Sequence, residues 1–261
     1  MSREPIVAGV TSTDADQFRL SGAWNFRDLA GLRTADGRTV RPGIVFRSSQ
    51  LAELDDDGQA ALLQLGITDV FDLRGDAEAR HGGRDNLPDG VRLHVAPFHE
   101  RRLDDATAPH ETRLDSPGGG REYLSRAYAE FPLLAGAHAA IADIFDTVAD
   151  TDNRVLIHCA AGKDRAGWVA ATLLRAIGVT EDDIVADYLR SNDAIGTLRS
   201  RMSAQYGQAV NLSDDLLGVD EEYYRVAMDA VEHHYGSFED YLGSLGLDSG
   251  AVGRLRGRLL D

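Results

Sequence analysis

One cysteine, Cys159, and an arginine six positions later, Arg165, stand in the segment HCAAGKDRAG, which follows an apolar run and precedes a stretch that reads as a helix. That arrangement suits an anion. Where a strand gives way to a helix through a short glycine-containing turn, successive backbone amides point inward, and the helix N-terminus adds roughly half a positive charge. A thiol in such surroundings, close to cations, is shifted toward the thiolate. A thiolate beneath a bound phosphoryl group is placed for in-line attack on phosphorus, giving a cysteinyl-phosphate that water later hydrolyses. Arg165 would present a planar fork of donors to the equatorial oxygens, which a lysine cannot copy.

Taken singly, these residues mean little. A cysteine closing an apolar strand is ordinarily a core residue. The combination carries the reading: a strand before, a helix after, Gly162 and Gly167 in the turn, and Lys163 and Arg165 within it.

The elements that must position this loop are legible in outline. Residues 39–47, 67–73, 91–95 and 154–157 read as strands from their β-branched and apolar content. Helices are predicted from Asp55 to a stop at Gly66, from Glu122 to about Phe131, over 135–148, and over 166–177 with a stop at Gly178. Thr180 is a candidate N-cap for a helix through Leu189. Three more helices are predicted, over 221–235, 238–245 and 251–260. Strands alternating with helices make this an α/β chain with a mostly parallel sheet and a helical C-terminal third. With no internal repeat or flexible linker, residues 1–261 read as a single domain. Residues 100–135, charged and then marked by Gly118, Gly119 and Gly120, read as a variable lid-like segment.

The formal charge of -16 argues against a nucleic-acid partner, whose binding depends on surplus lysine and arginine. It says little about a small phosphorylated substrate, because remote carboxylates are screened beyond roughly 8 Å at physiological salt. A lone cysteine cannot form an internal disulfide, and the eight histidines show no metal-ligand spacing, so neither metal nor cofactor is expected. No apolar run approaches the roughly 18 residues of a membrane span. The first residues lack a signal-peptide core, which implies the cytoplasm or export without a cleavable signal.

The loop resembles the signature His-Cys-x-x-Gly-x-x-Arg-Ser/Thr-Gly of the cysteine-dependent tyrosine phosphatase superfamily, and Lys163 with Asp164 narrows the likeness to atypical bacterial members. Segments WNFRDLAG, RPGIVFRSS, LGITDVFDLR, VADYLRSND and YGSFEDYL extend the resemblance over nearly the whole chain. The resemblance implies a phosphatase acting on phosphotyrosine proteins, and also on phosphoserine, phosphothreonine and phosphoinositides. Cys159 is then the nucleophile and Arg165 the phosphate clamp. The loop from Ala160 through Ala161, Gly162, Lys163, Ala166 and Gly167 binds substrate, with Lys163 a cation at the pocket rim.

Two departures matter. No Trp-Pro-Asp tripeptide is present to supply the leaving-group proton. The resemblance points to Asp164 as the acid, with Glu100 the second choice, while Asp72 and Asp76 are candidates to orient Arg165. Ala166 stands where the signature has a hydroxyl that assists breakdown of the intermediate, which predicts slow dephosphorylation. His158 is expected to brace the loop. Arg27, Asp28, Arg74 and Glu78 are expected to flank the pocket. The alternatives are a catalytically weak pseudophosphatase that binds phosphorylated ligands, and another cysteine-loop enzyme such as a sulfurtransferase or arsenate reductase.

Overall fold

A computed structural model describes residues 20–99, 119–150, 152–206 and 213–261. In chain order the described elements are β1 (Arg27–Asp28), β2 (Val45–Ser48), α1 (Asp56–Gln64), β3 (Asp69–Asp72), α2 (Asp76–Gly82) and β4 (Arg92–Val95). There follow α3 (Gly119–Glu130), α4 (Ala135–Ala149), β5 (Val155–His158), α5 (Arg165–Ala176), α6 (Glu181–Leu189) and α7 (Ile195–Tyr206). The C-terminal helices are α8 (Asp214–Leu217), α9 (Glu221–Tyr235), α10 (Phe238–Ser244) and α11 (Ser249–Leu259).

The strands form one sheet in the order β1-β2-β5-β3-β4, antiparallel only at the β1 edge. Side chains alternate between its two faces, as the pleat requires. Val45, Phe71, Val155 and Ile157 join the larger core, built with α3, α4, α5 and the C-terminal helices. Phe46, Val70 and Leu156 turn the other way, onto Leu51, Leu54, Leu62 and Ile67 around α1. β5 lies at the centre with both faces covered, and all four of its residues are buried. The cysteine loop leaves the end of this best-supported strand.

The α/β class and the mostly parallel sheet match the sequence expectation. The strand predicted over 39–47 pairs only over Val45–Ser48, and Thr39 and Val40 make isolated bridges to Arg33 and Leu260. The second half of the segment read as a lid is α3, whose Leu124 and Tyr128 are buried in the larger core. Residues 100–118 lie outside the described residues. Among the described residues no single helix is long and apolar enough to cross a membrane.

The helix caps separate α5 from its neighbours. α1, α6, α9, α10 and α11 each begin with a side chain that accepts an early amide: Asp55, Thr180, Asp220, Ser237 and Asp248. Asp164, in the corresponding place before α5, makes no such bond. The amide end of α5 is left to whatever the loop holds.

Candidate active site

The loop is shaped from behind, by donors that take its carbonyl oxygens. The Gln50 amide donates to Ala160 O at 3.1 Å, and Asn25 Nδ2 donates to Ala161 O at 3.1 Å. Arg47 Nη2 donates to Gly162 O at 2.7 Å and to Lys163 O at 3.2 Å. The Trp168 amide takes Asp164 O at 2.8 Å. Because each peptide unit is planar and trans, a carbonyl turned outward turns the next amide inward. The amides from Ala161 to Arg165 thus face the concave side, and those of Ala160 to Asp164 donate to no acceptor among the described residues.

Two glycines permit this closeness. Gly162 has φ +69, and a Cβ there would lie 2.3 Å from the Ser48 carbonyl oxygen. A Cβ at Gly167 would stand 2.9 Å from Arg47 Nη2 and 3.2 Å from the Tyr188 ring. Gly167 therefore makes room for the brace.

Arg47 is itself anchored. Its Nη1 meets Asp187 Oδ2 at 3.0 Å, and Arg27 Nε meets Asp187 Oδ1 at 2.7 Å. Arg27 Nη1 also donates to Asn25 Oδ1 at 2.6 Å, while Asn25 holds a left-handed backbone at φ 53. Burial and the neighbouring Arg27 lower the Arg47 pKa to about 10, against the pull of Asp187 and Cys159. Burial would raise the Asp187 pKa, but the two arginines hold it below the ordinary value.

Cys159 is buried at the base of the loop and is a free thiol. Arg165 is buried too and is gripped by Glu78, with Nη1 to Oε2 at 2.7 Å and Nη2 to Oε1 at 2.8 Å. Burial opposes its charge, but Glu78 and Cys159 hold its pKa above the usual value. Its Nε has no partner among the described residues. A buried guanidinium with an idle donor is suited to a further acceptor. Glu78, on α2, is the orienting carboxylate, in place of the expected Asp72 or Asp76; Asp72 instead pairs with Arg74 at 2.8 Å. Glu78 Oε2 also accepts the Gly75 amide at 3.0 Å, which fixes it at the helix start.

His158 braces the strand end, as expected: Nε2 lies 3.0 Å from Asp85 Oδ2 and Nδ1 lies 3.8 Å from Asp72. Asp85 also meets Arg74 Nη2 at 3.0 Å. Asp72, Asp85 and His158 bring three ligand-type atoms together. Arg74 occupies both carboxylates, so the cluster is already neutralised by a protein cation.

Lys163 departs from expectation. Instead of standing at the rim it is buried, with Nζ 2.9 Å from Asp164 Oδ1 and 3.1 Å from the Gly218 carbonyl. The Tyr128 hydroxyl donates to the same Asp164 oxygen at 3.0 Å. Ala166 is fully buried at the start of α5 and brings no hydroxyl. Glu100 lies outside the described residues. On the open side, Ala160 lines a cavity of about 750 Å³ with Trp24, Gln50, Glu53, Leu198 and Arg201. Arg201 lies over the Trp24 ring at 4.0 Å and pairs with Glu53 at 2.8 Å.

A parallel sheet that delivers a buried cysteine into an amide-lined turn, closed by a fixed arginine, has the construction of an enzyme that handles phosphate esters. The comparisons agree. The tyrosine phosphatase family model matches residues 18–261. The triple specificity protein phosphatase PtpB of Mycobacterium tuberculosis is 41% identical over 92% of this chain and 98% of its own length. A candidate tyrosine-protein phosphatase of Cupriavidus necator is 34% identical over 90% of this chain and 85% of its own. A tyrosine-protein phosphatase of Nostoc commune is 28% identical over 85% and 76% respectively. The chain belongs to the tyrosine phosphatase family and is a phosphoric monoester hydrolase of that type.

Proposed function

We infer that the chain hydrolyses phosphotyrosine in proteins, and phosphoserine, phosphothreonine and phosphoinositide monoesters besides, through a phosphorylated Cys159. The carbonyl bracing supports this most: donors from Asn25, Arg47 and Gln50 turn the loop amides toward one centre, with Cys159 at its base. The wider substrate range is supported by the loop resemblance and by the Mycobacterium tuberculosis relative named for triple specificity. Residues 1–261 act as one catalytic unit in this reading.

A substrate phosphoryl group would take the amides of Ala160 to Arg165 and the guanidinium of Arg165 on its equatorial oxygens. The Cys159 sulfur forms a bond to phosphorus as the ester bond breaks, and Asp164 passes a proton to the departing oxygen. In the second step water attacks the cysteinyl-phosphate, Asp164 accepts its proton, and the S–P bond breaks to release phosphate and the thiolate.

Release of phosphate from an aryl phosphate, with and without vanadate, tests the reading on the parent chain and Cys159→Ser. Vanadate-sensitive turnover that the substitution abolishes is expected. Turnover that survives in Cys159→Ser, or binding of the phosphorylated ligand with no release by the parent, would overturn it. A panel of phosphotyrosine peptide, phosphothreonine peptide and inositol lipids measures the range.

A further inference from the structure

We propose that Tyr128 and Lys163 are positioning residues for the leaving-group proton, holding Asp164 so that Oδ2 is the oxygen that carries it. The inference rests on the role given to Asp164 above. Both donors converge on Oδ1, Tyr128 at 3.0 Å and Lys163 at 2.9 Å. Oδ2 takes no hydrogen bond from the described residues.

Neither donor is free to swing away. Tyr128 is buried in α3, its ring stacks on Tyr223 at 5.5 Å, and its hydroxyl accepts from the Tyr188 hydroxyl at 2.7 Å. The Lys163 ammonium is held from the far side by the Gly218 carbonyl. A carboxyl whose Oδ1 already meets two fixed donors has Oδ2 left for an acidic hydrogen. When that hydrogen moves to the departing ester oxygen, the electron pair of the broken P–O bond receives it, and Asp164 becomes an anion. The ammonium and the hydroxyl already face that new charge, so they stabilise the transition state more than the ground state. Burial, and then the Asp164 charge, hold the Tyr128 phenol well above its ordinary pKa, so Tyr128 keeps its own hydrogen.

This role predicts a signature that packing alone does not give. An acid matters most when the leaving group is poor. The test measures kcat/KM across aryl phosphates from phenyl phosphate, a poor leaving group, to dinitrophenyl phosphate, a good one. It compares the parent with Tyr128→Phe, Lys163→Met and Asp164→Asn, with an unfolding midpoint for each. Tyr128→Phe is expected to lose roughly tenfold on phenyl phosphate, and little on dinitrophenyl phosphate, for the loss of one hydrogen bond to a charged group. Lys163→Met should steepen the same dependence. A uniform loss across the series, or none, overturns the proposal, as does a Lys163→Met loss confined to inositol lipids with several phosphates. Should Tyr128→Phe fail to fold, Tyr188→Phe removes only the outer bond, and an unchanged slope there overturns it equally. An unchanged slope in Asp164→Asn would show instead that the acid lies elsewhere, and a parent inactive on every ester would remove the phosphatase reading itself.

Discussion

At the scale of single residues, the loop is unusual for what it lacks. Ala166 leaves the thiolate without the hydroxyl that the family signature places next to the arginine. A hydrogen bond to a charged group contributes about 1.5 to 3 kcal/mol, which corresponds to roughly ten- to a hundredfold in rate. Ala166→Ser should therefore raise turnover at saturating substrate, and rapid-mixing kinetics should show a phosphoenzyme burst in the parent that shrinks in the variant. An unchanged or lower turnover would refute the assignment. Cys159 and Arg165 stand out through local spacing in the sequence, whereas Asp164 was proposed through the family resemblance. Glu78 was expected at the pocket's flank but not as the partner of Arg165, and Arg47 and Asn25 were not read at all, because each reaches the site across long sequence distances: Arg47 to Gly162 spans 115 positions and Asn25 to Ala161 spans 136. A further hint for Glu78 was its place three residues after Gly75, where a glutamate closes a helix start.

At the scale of elements, the strand-loop-helix unit from β5 to α5 depends on its contact with the end of β2. Gly162→Ala would force a side chain to within 2.3 Å of the Ser48 carbonyl at a left-handed φ, whereas Gly31, also left-handed at φ +78, has nothing within 4 Å of its absent Cβ. Strained backbone alone costs about 1 to 3 kcal/mol. Gly162→Ala should lose both stability and vanadate affinity, and Gly31→Ala should lose some stability with vanadate affinity intact. Equal behaviour in calorimetry and binding would show that the close approach to Ser48 does not matter. Helices with a long apolar stripe were legible: α9 runs over Glu221–Tyr235 as predicted. The helix α2 was missed because it has no buried residue to set a period, and β1 because it is two residues long. Both are held by tertiary ion pairs, through Glu78 and Arg27, that local pattern does not encode.

At the scale of the whole molecule, an acidic chain gathers its buried cations in one place. Among the described residues the buried lysine and arginines are Arg27, Arg47, Arg74, Lys163 and Arg165, each facing a carboxylate partner around the loop. Stability should register this in its pH dependence. Burial opposes a charge on His158, but Asp72 and Asp85 prevail and hold its pKa above the ordinary 6.5. Burial on Asp85 is outweighed by His158 and Arg74, and its pKa falls to about 2. The His158 contribution is complete below the unfolded value of about 6.5 and fades as pH rises through the folded value. The Asp85 contribution is present above the unfolded value of about 3.8 and fades as pH falls toward about 2. Urea midpoints should accordingly decline as pH rises above about 6.5, and His158→Gln should flatten that decline. A parent midpoint that rises over the same interval would contradict the sign.

The solitary thiol has a chemical corollary. Peroxide turns a thiolate into a sulfenic acid, which a neighbouring cysteine would ordinarily trap as a disulfide. With Cys159 the chain's sole cysteine, no internal disulfide can form. Recovery must come from a small thiol in solution, and whole-protein mass spectra after peroxide should show a mixed disulfide when such a thiol is added, or the irreversible sulfinic acid when it is withheld. The ambient thiol pool, more than the protein, then decides whether an oxidative insult silences this enzyme for minutes or for good.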